Sequence, residues 1–477
     1  MAFFSLVFAA LVALSARGIL PQSVPADRTA QDLQTGVVLS KVVCAAHAEQ
    51  SYALYLPSYY TRERRWPIVY VFDPAARGRV PVELMKGAAE RLGYIVAGSN
   101  NSQNGPWKPE IEAAQAMSED TQARLMVDTR RVYFAGLSGG ARFAAALAQR
   151  CQCAAGVLLN SAGFTPSSAA GTSDARFAVF GTAGLVDFNL GEVVDMDAKL
   201  GTLHYAHAFR EFDGTHEWAP ASVMGEAIAW FRLMAMKNGR EKTDASFVTE
   251  QIAEVEKRAK TLELAGDLYG SWKENRQAAE TFDGLSDVAQ FRERAAALEK
   301  EKAVREGAKR EQKEFDEQLR LSADISAGLE ALGKDPPNRL DARNDVERQI
   351  SALRSRAEHE KNPREKLVAR RALGGIFIEA IEAGNGRSDA KDNPLARDYF
   401  ELAVAADPDS VWALSELAIA RALDGDRKGT LEALRRAREK SKDLAAFVAW
   451  LKEEPALAKF RDEPEFRALM APGQDAH

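Results

Sequence analysis

The stretch "RVYFAGLSGGARFAAALAQR", residues 131–150, decides the fold. Val132, Tyr133, Phe134 and Ala135 form an apolar, strand-like run, and Phe143 to Ala148 follow as an alanine-rich helical pattern. Between them Gly136-Leu137-Ser138-Gly139-Gly140 fits G-x-S-x-G. A serine on a sharp strand-to-helix turn exposes its hydroxyl at the end of a sheet strand, and its flanking glycines avoid collision with the neighbouring strand or helix. A hydroxyl is a poor nucleophile unless a base removes its proton and a third group orients that base. If Ser138 is a nucleophile, an acid and then a histidine should follow it at the ends of later strands.

Outward from this turn, short β-rich runs alternate with helical ones. The candidate strands are residues 36–44, 51–57, 67–73, 94–99, 131–136, 154–160, 176–181 and 204–211. The alternation predicts an α/β unit over residues 36–242 with a mostly parallel eight-stranded sheet flanked by helices, the first two strands pairing as a hairpin.

Downstream of Ser138 within this unit the histidines are His204, His207 and His216. His204 and His207 fall inside the last candidate strand and read as structural. His216 lies in the turn-like "EFDGTHEWAP", where it can swing over the sheet edge, and is the candidate base. For the acid, Asp187 comes soonest after the seventh strand, whereas Asp195 and Asp197 fall in a helix that carries them away and Asp213 is too near His216 in sequence. The reading is Ser138 attacking, His216 as general base and then acid, and Asp187 orienting the imidazole. The oxyanion donors expected are the Gly139 N–H and, in the loop "FDPAARG" after the third strand, the Ala75 N–H, since Pro74 has none. Asn100, Asn104, Trp107 and Trp218 are candidates for the pocket rim.

Three stretches carry a resemblance: "GLSGG" (136–140), "GTAGLVDFN" (181–189) and "GTHEW" (214–218). With them, residues 36–240 resemble the α/β-hydrolase superfamily, in its branch of polyhydroxybutyrate-depolymerase-like and feruloyl-esterase-like proteins. The resemblance implies the α/β-hydrolase fold, ester hydrolysis through an acyl-serine, and no cofactor or metal. The family's third-strand loop usually carries His-Gly, and here it reads Asp73-Pro74. The connection 161–175, where many relatives insert a lid, is short and rich in small residues, which implies an open site and a bulky or polymeric ester. The same triad is compatible with a peptidase or amidase. A scaffold with an inactive hydrolase fold is the reading from another class.

The remaining sequence sets the surroundings. Residues 3–16 are an uncharged, mostly apolar run shorter than a spanning helix needs, and predict an export signal over 1–16, with an uncleaved anchor as the alternative, followed by a linker over 17–35 and a periplasmic or secreted product. Cys44, Cys151 and Cys153 allow one disulfide at most and read as buried apolar side chains, and no Cys/His spacing fits zinc. Net charge is -6 with no basic stripe, which argues against a nucleic-acid partner. After about residue 245 strand-like runs vanish, and the charge deficit lies there: 40 Lys and Arg against 46 Asp and Glu, compared with 23 against 23 before it. A second, all-α domain is expected, helical over 246–365. Residues 292–320 read as a solvated helix of alternating charge.

Residues 407–440 resemble a tetratricopeptide repeat, with Leu417, Ala418, Gly425, Leu434 and Ala437 at its packing and turn positions. A preceding unit uses Ala396, Phe400, Ala403 and Pro408, its turn lengthened by "NGRSDAKD". The resemblance implies repeats over 366–477 that offer a surface to a protein partner.

Overall fold

The computed structural model describes residues 33–165, 177–334 and 338–471. The expected export signal, all but the last residues of the linker, and most of the connection 161–175 lie outside the described residues. Among the described residues no helix is long and apolar enough to cross a membrane.

Eight strands form one sheet: β1 (Val38–Val43), β2 (Ser51–Tyr55), β3 (Trp66–Phe72), β4 (Ile95–Ser99), β5 (Val127–Leu137), β6 (Ala154–Asn160), β7 (Ala178–Gly184) and β8 (His207–Phe212). Their order is β1-β2-β4-β3-β5-β6-β7-β8, with β2 antiparallel to both neighbours and every other pairing parallel. This mostly parallel sheet fits the α/β-hydrolase architecture. Every residue of β3, β4, β6 and β7 is buried, as expected of parallel strands covered on both faces.

Helices α1 (Arg79–Leu92), α2 (Trp107–Arg124), α3 (Gly139–Arg150), α4 (Leu190–Thr202) and α5 (Ala221–Lys237) alternate with the strands. The last strand starts later than the sequence suggests. The end of α4 closes through Tyr205 N–H to Leu200 O, 3.0 Å, with His204 at φ 56°, so residues 204–206 belong to a turn.

The helical half comprises α6 (Ala245–Leu264), α7 (Leu268–Phe282), α8 (Ala289–Glu299), α9 (Lys302–Leu332), α10 (Arg339–His359), α11 (Pro363–Asp389), α12 (Asn393–Ala406), α13 (Val411–Leu423), α14 (Arg427–Lys440), α15 (Leu444–Glu453) and α16 (Pro464–Leu469). Side-chain caps from Asp244, Asp267, Asn362, Asp392, Ser410, Asp426 and Asp443 start seven of them.

The compositional break near residue 245 is not a break in the core. Phe247 of α6, Phe282 of α7 and Phe291 of α8 share one apolar cluster with Trp230, Phe231 and Met234 of α5 and with the sheet face beneath. An ion network crosses the same seam: Glu226 of α5 takes Arg210 of β8 at 2.6 Å and Arg258 of α6 at 3.0 Å, and Arg210 also pairs with Glu274 of α7. The opposite sheet face packs under α2, α3 and α4 and receives Phe315 of α9. Helices α9 to α16 enclose a third cluster of their own.

Other expectations need correction. Cys151 and Cys153 form a disulfide rather than lying as buried thiols, whereas Cys44 is buried and free. The segment 385–389 is no turn, because α11 runs straight through it and breaks only around Lys391, at φ 60°. The charged stretch 292–320 splits between α8 and α9, and its Phe315 is packed rather than solvated. The residues picked from the repeat pattern in α12, α13 and α14, namely Ala396, Phe400, Ala403, Leu417, Ala418, Leu434 and Ala437, are all buried, and Gly425 takes φ 81° between two helices.

A fragment ending at residue 243 should therefore be insoluble, since it bares the face that α6 to α8 cover, while a fragment ending at residue 301 retains that core and should stay soluble. The soluble fraction of each on expression checks this.

Candidate active site

Ser138 follows the last residue of β5 and is the N-cap of α3. Its backbone sits at φ 54°, ψ -120°, a region that costs a non-glycine residue on the order of 1–3 kcal/mol and is found mainly where surrounding structure enforces it. The enforcement comes from close packing. A Cβ on Gly136 would lie 2.1 Å from Gly140 O, and a Cβ on Gly140 would lie 2.2 Å from Phe72 O at the end of β3. Only glycine at both positions lets α3 start this near the two central strands. Ser138 N–H donates to Asn160 O, 2.9 Å, which fixes the turn to the end of β6. The serine side chain does not cap its own helix, and among the described residues its hydroxyl has no hydrogen-bond partner.

Asp187 lies in the loop between β7 and α4, with no exposed surface. Its Oδ1 accepts from Asn189 N–H and is 2.9 Å from His216 Nδ1, while Oδ2 is buried with no partner among the described residues. His216 is 18% exposed, and the Phe188 ring lies tilted against its ring at 4.3 Å between centroids. The two loops meet through Val186 N–H to Gly214 O, 2.9 Å. Gly184 permits this, since its Cβ would lie 2.4 Å from Gly214 O.

The histidine loop crosses the sheet edge from β8 toward β3 and is held at two points on the way. Asn160 at the end of β6 donates to Glu217 O, 3.0 Å, and accepts from Ala219 N–H, 2.7 Å. Trp218 Nε1–H donates to Asp73 Oδ2 at the end of β3, 2.7 Å. Asn160 therefore binds both the serine turn and the residues next to His216. It was missed in the sequence because an asparagine ending a strand looks like any turn former.

His204 and His207 stand apart from this group. His207 is 6% exposed at the start of β8, and its Nε2 is 3.6 Å from Asp197 of α4.

The Ala75 N–H, expected as an oxyanion donor, is engaged within its own turn. The Ala75 N–H donates to Asp73 Oδ1, 2.8 Å, and the Ala76 N–H to Asp73 O, 3.2 Å, so both are spent within their own turn. Burial pushes the Asp73 carboxyl up, but hydrogen bonds from Arg77 and Trp218 outweigh it and hold it below the ordinary aspartate range. What lies against the serine turn instead is the side chain of Asn104, whose Oδ1 is 2.0 Å from the position a Gly139 Cβ would take, with Nδ2 3.3 Å from it.

Of the rim candidates, Asn100 is tied to the hairpin edge through Ser51 O and Ser40 O. Trp218 is 8% exposed and braces the histidine loop. Trp107 opens α2 and lies edge-on to Phe143 of α3 at 6.1 Å. Helices α9 and α11 pack against the acid loop: Gln318 donates to Phe188 O and Arg371 to Leu185 O.

No family model matches this chain, and no curated protein matches it in sequence. Among solved structures it is similar to a ferulic acid esterase, at 19% identity and a TM-score of 0.35, covering 42% of this chain and 96% of that one. An S-formylglutathione hydrolase of Staphylococcus aureus is similar at 12% identity and a TM-score of 0.33, covering 41% and 95%. An esterase of Pyrobaculum calidifontis is similar at 14% identity and a TM-score of 0.33, covering 42% and 85%.

Gly140→Ala should cost about 1–3 kcal/mol as its methyl group drives α3 off Phe72 O, whereas Gly87→Ala, in open space on α1, should stabilise by up to about 1 kcal/mol. Urea unfolding of the two variants beside the parent measures both.

Proposed function

We propose that this protein is a serine hydrolase of carboxylic esters, with Ser138 as nucleophile, His216 as general base and acid, and Asp187 as the orienting acid. The observation that carries the proposal is the double role of Asn160, which ties the strained serine turn to the loop whose histidine is 2.9 Å from a fully buried carboxylate.

In this reading Ser138 Oγ attacks the ester carbonyl carbon while His216 Nε2 takes the hydroxyl proton. Asp187 Oδ1, accepting from Nδ1–H, holds the tautomer that leaves Nε2 basic and stabilises the imidazolium that forms. Among the described residues no hydrogen bond joins Ser138 and His216, and such contacts commonly tighten only in the Michaelis complex. The carbonyl oxygen becomes an oxyanion, for which the donors proposed are the Gly139 N–H and, in place of Ala75, the side-chain amide of Asn104. The tetrahedral adduct collapses as His216 returns its proton to the departing alcohol. Water activated by the same imidazole then cleaves the acyl-serine, releasing the carboxylate.

We read residues 1–16 as an export signal. The Cys151–Cys153 disulfide supports an oxidising destination. Helices α12 to α14, taken as tetratricopeptide-like repeats, are the surface we assign to a protein partner.

Fluorophosphonate labelling followed by a panel of short p-nitrophenyl esters and peptide anilides tests the reaction class. The parent should label and turn over esters, and Ser138→Ala and His216→Ala should lose both activities with folding intact. Asp187→Asn should lower kcat by about 10⁴-fold. Preferential anilide cleavage would establish an amidase instead, and a folded parent that neither labels nor turns over would establish a scaffold.

Asn104→Ala should lower kcat by about 10²–10³-fold, the usual loss for one oxyanion donor, with KM little changed. Steady-state kinetics on the best ester measure it, and an unchanged kcat would remove Asn104 from the oxyanion hole.

A further inference from the structure

The acid loop is held from outside the α/β unit. Leu185 O and Phe188 O lie on either side of Asp187 in sequence, and each needs a donor once it leaves water. Both donors come from the helical half. Arg371 Nη1 of α11 reaches Leu185 O at 3.0 Å, and Gln318 Nε2 of α9 reaches Phe188 O at 2.8 Å. The two side chains are bonded to each other, Arg371 Nε–H donating to Gln318 Oε1 at 3.0 Å, so they form one clamp.

The chemistry of the clamp is unusual for mere docking. Arg371 is 2% exposed, and Glu314 Oε2, 3.8 Å away, is the carboxylate nearest to it among the described ion pairs. Burial draws the guanidinium down from its ordinary range. A buried charge without a close partner costs stability that an apolar side chain would not, so packing alone gives no reason to keep an arginine here.

The same helix face continues toward the base. Gly374 and Gly375, one turn beyond Arg371, lie against Phe188: a Cβ on Gly375 would be 3.5 Å from Phe188 Cβ, and one on Gly374 would be 3.8 Å from Phe188 Cδ1. The ring these two glycines adjoin lies tilted over His216, 4.3 Å between centroids. Two turns further along that face is Glu382. Desolvation raises its carboxyl, the nearby Arg142 of α3 opposes that rise, Glu379 adds to it, and His216 draws it down. Residues 371, 374, 375 and 382 share one stripe of α11, and that stripe runs along the candidate active site.

We propose that the helical half is a working part of the catalytic centre: Arg371 and Gln318 are positioning residues that clamp the Asp187–Phe188 loop and thereby fix the imidazole of His216. This inference rests on the hydrolase reading above. Loosening the clamp lets Asp187 and Phe188 shift together, and a displacement of about 1 Å at such a distance from the bond broken can cost 10²-fold in rate.

The test uses the full chain with Gln318→Leu, Arg371→Leu and Arg371→Lys, and reads kcat and KM on a short ester, the rate of fluorophosphonate labelling, and Tm. Gln318→Leu and Arg371→Leu should each lower kcat and labelling rate by about 10- to 100-fold with KM within about twofold. Arg371→Lys, which keeps one donor for Leu185 O, should recover part of the loss. Because Arg371 is buried, its leucine variant can misfold; half-buried Gln318 then decides, since its replacement leaves the cores intact. Folded Gln318→Leu with parental kcat and labelling would overturn the clamp alone. A parent that never labels would overturn the hydrolase reading and the clamp with it.

Discussion

The structure depends on how closely α3 approaches the central strands. With Gly140 against Phe72 O and Gly136 against Gly140 O, the chain has no room to leave β5 by an ordinary turn, and Ser138 is forced to positive φ. The strain is local, and the restoring contacts are long-range: Asn160 holds the turn through its backbone carbonyl and the histidine loop through its side-chain amide. A residue one strand over thus converts a steric constraint at β5 into a fixed relation between the serine and the loop bearing His216. Relaxing either glycine contact would move the turn away from Asn160 and break that relation, which links backbone packing directly to the geometry of the candidate site.

The helical half belongs to the same mechanical unit. Its first three helices complete a sheet-face core that α1 and α5 leave uncovered, and α9 and α11 reach the opposite end of the seam at the acid loop. Sequence composition changes sharply at residue 245 because helices lack strand-like runs, not because burial stops there. A change of period marks a change of secondary structure, and only the pattern of shared side chains marks a domain. The Arg210–Glu226–Arg258–Glu274 network at this seam makes the point in another way, since it joins β8 and α5 to α6 and α7.

Much of the α/β unit was legible, because its signals are local. Apolar runs bounded by turns located all eight strands, and His216 and Asp187 were chosen as the residues nearest the strand ends in a fixed chain order. What failed needed contacts between distant residues. Ala75 was chosen by counting backbone donors, but the Asp73 side chain two residues earlier captures that N–H. Asn104 was named as a rim candidate and Phe188 lies in the stretch 181–189, yet nothing in the string shows that one ring packs on His216 or that one amide lies against Gly139. Arg371 is 184 residues from Asp187, and no periodicity connects them.

Asp73 shows how one departure from a resemblance propagates. A histidine-glycine pair at this position would leave backbone donors facing the serine turn, whereas an aspartate gathers Ala75 N–H, the Arg77 guanidinium and Trp218 Nε1–H onto its own oxygens. The carboxylate is fully buried and stays ionised only because these donors surround it. It therefore cannot release one of them to an oxyanion without exposing its own charge. The loop gains rigidity and a strut to the histidine loop through Trp218, and loses its place as an electrophilic site. In the proposed reaction the second donor is then a side chain, the Asn104 amide that lies against Gly139. An amide on an exposed loop is free to reorient as a substrate binds, while the buried Asp73 turn behind it is not, so adjustment at this edge of the site falls to Asn104 and rigidity to Asp73.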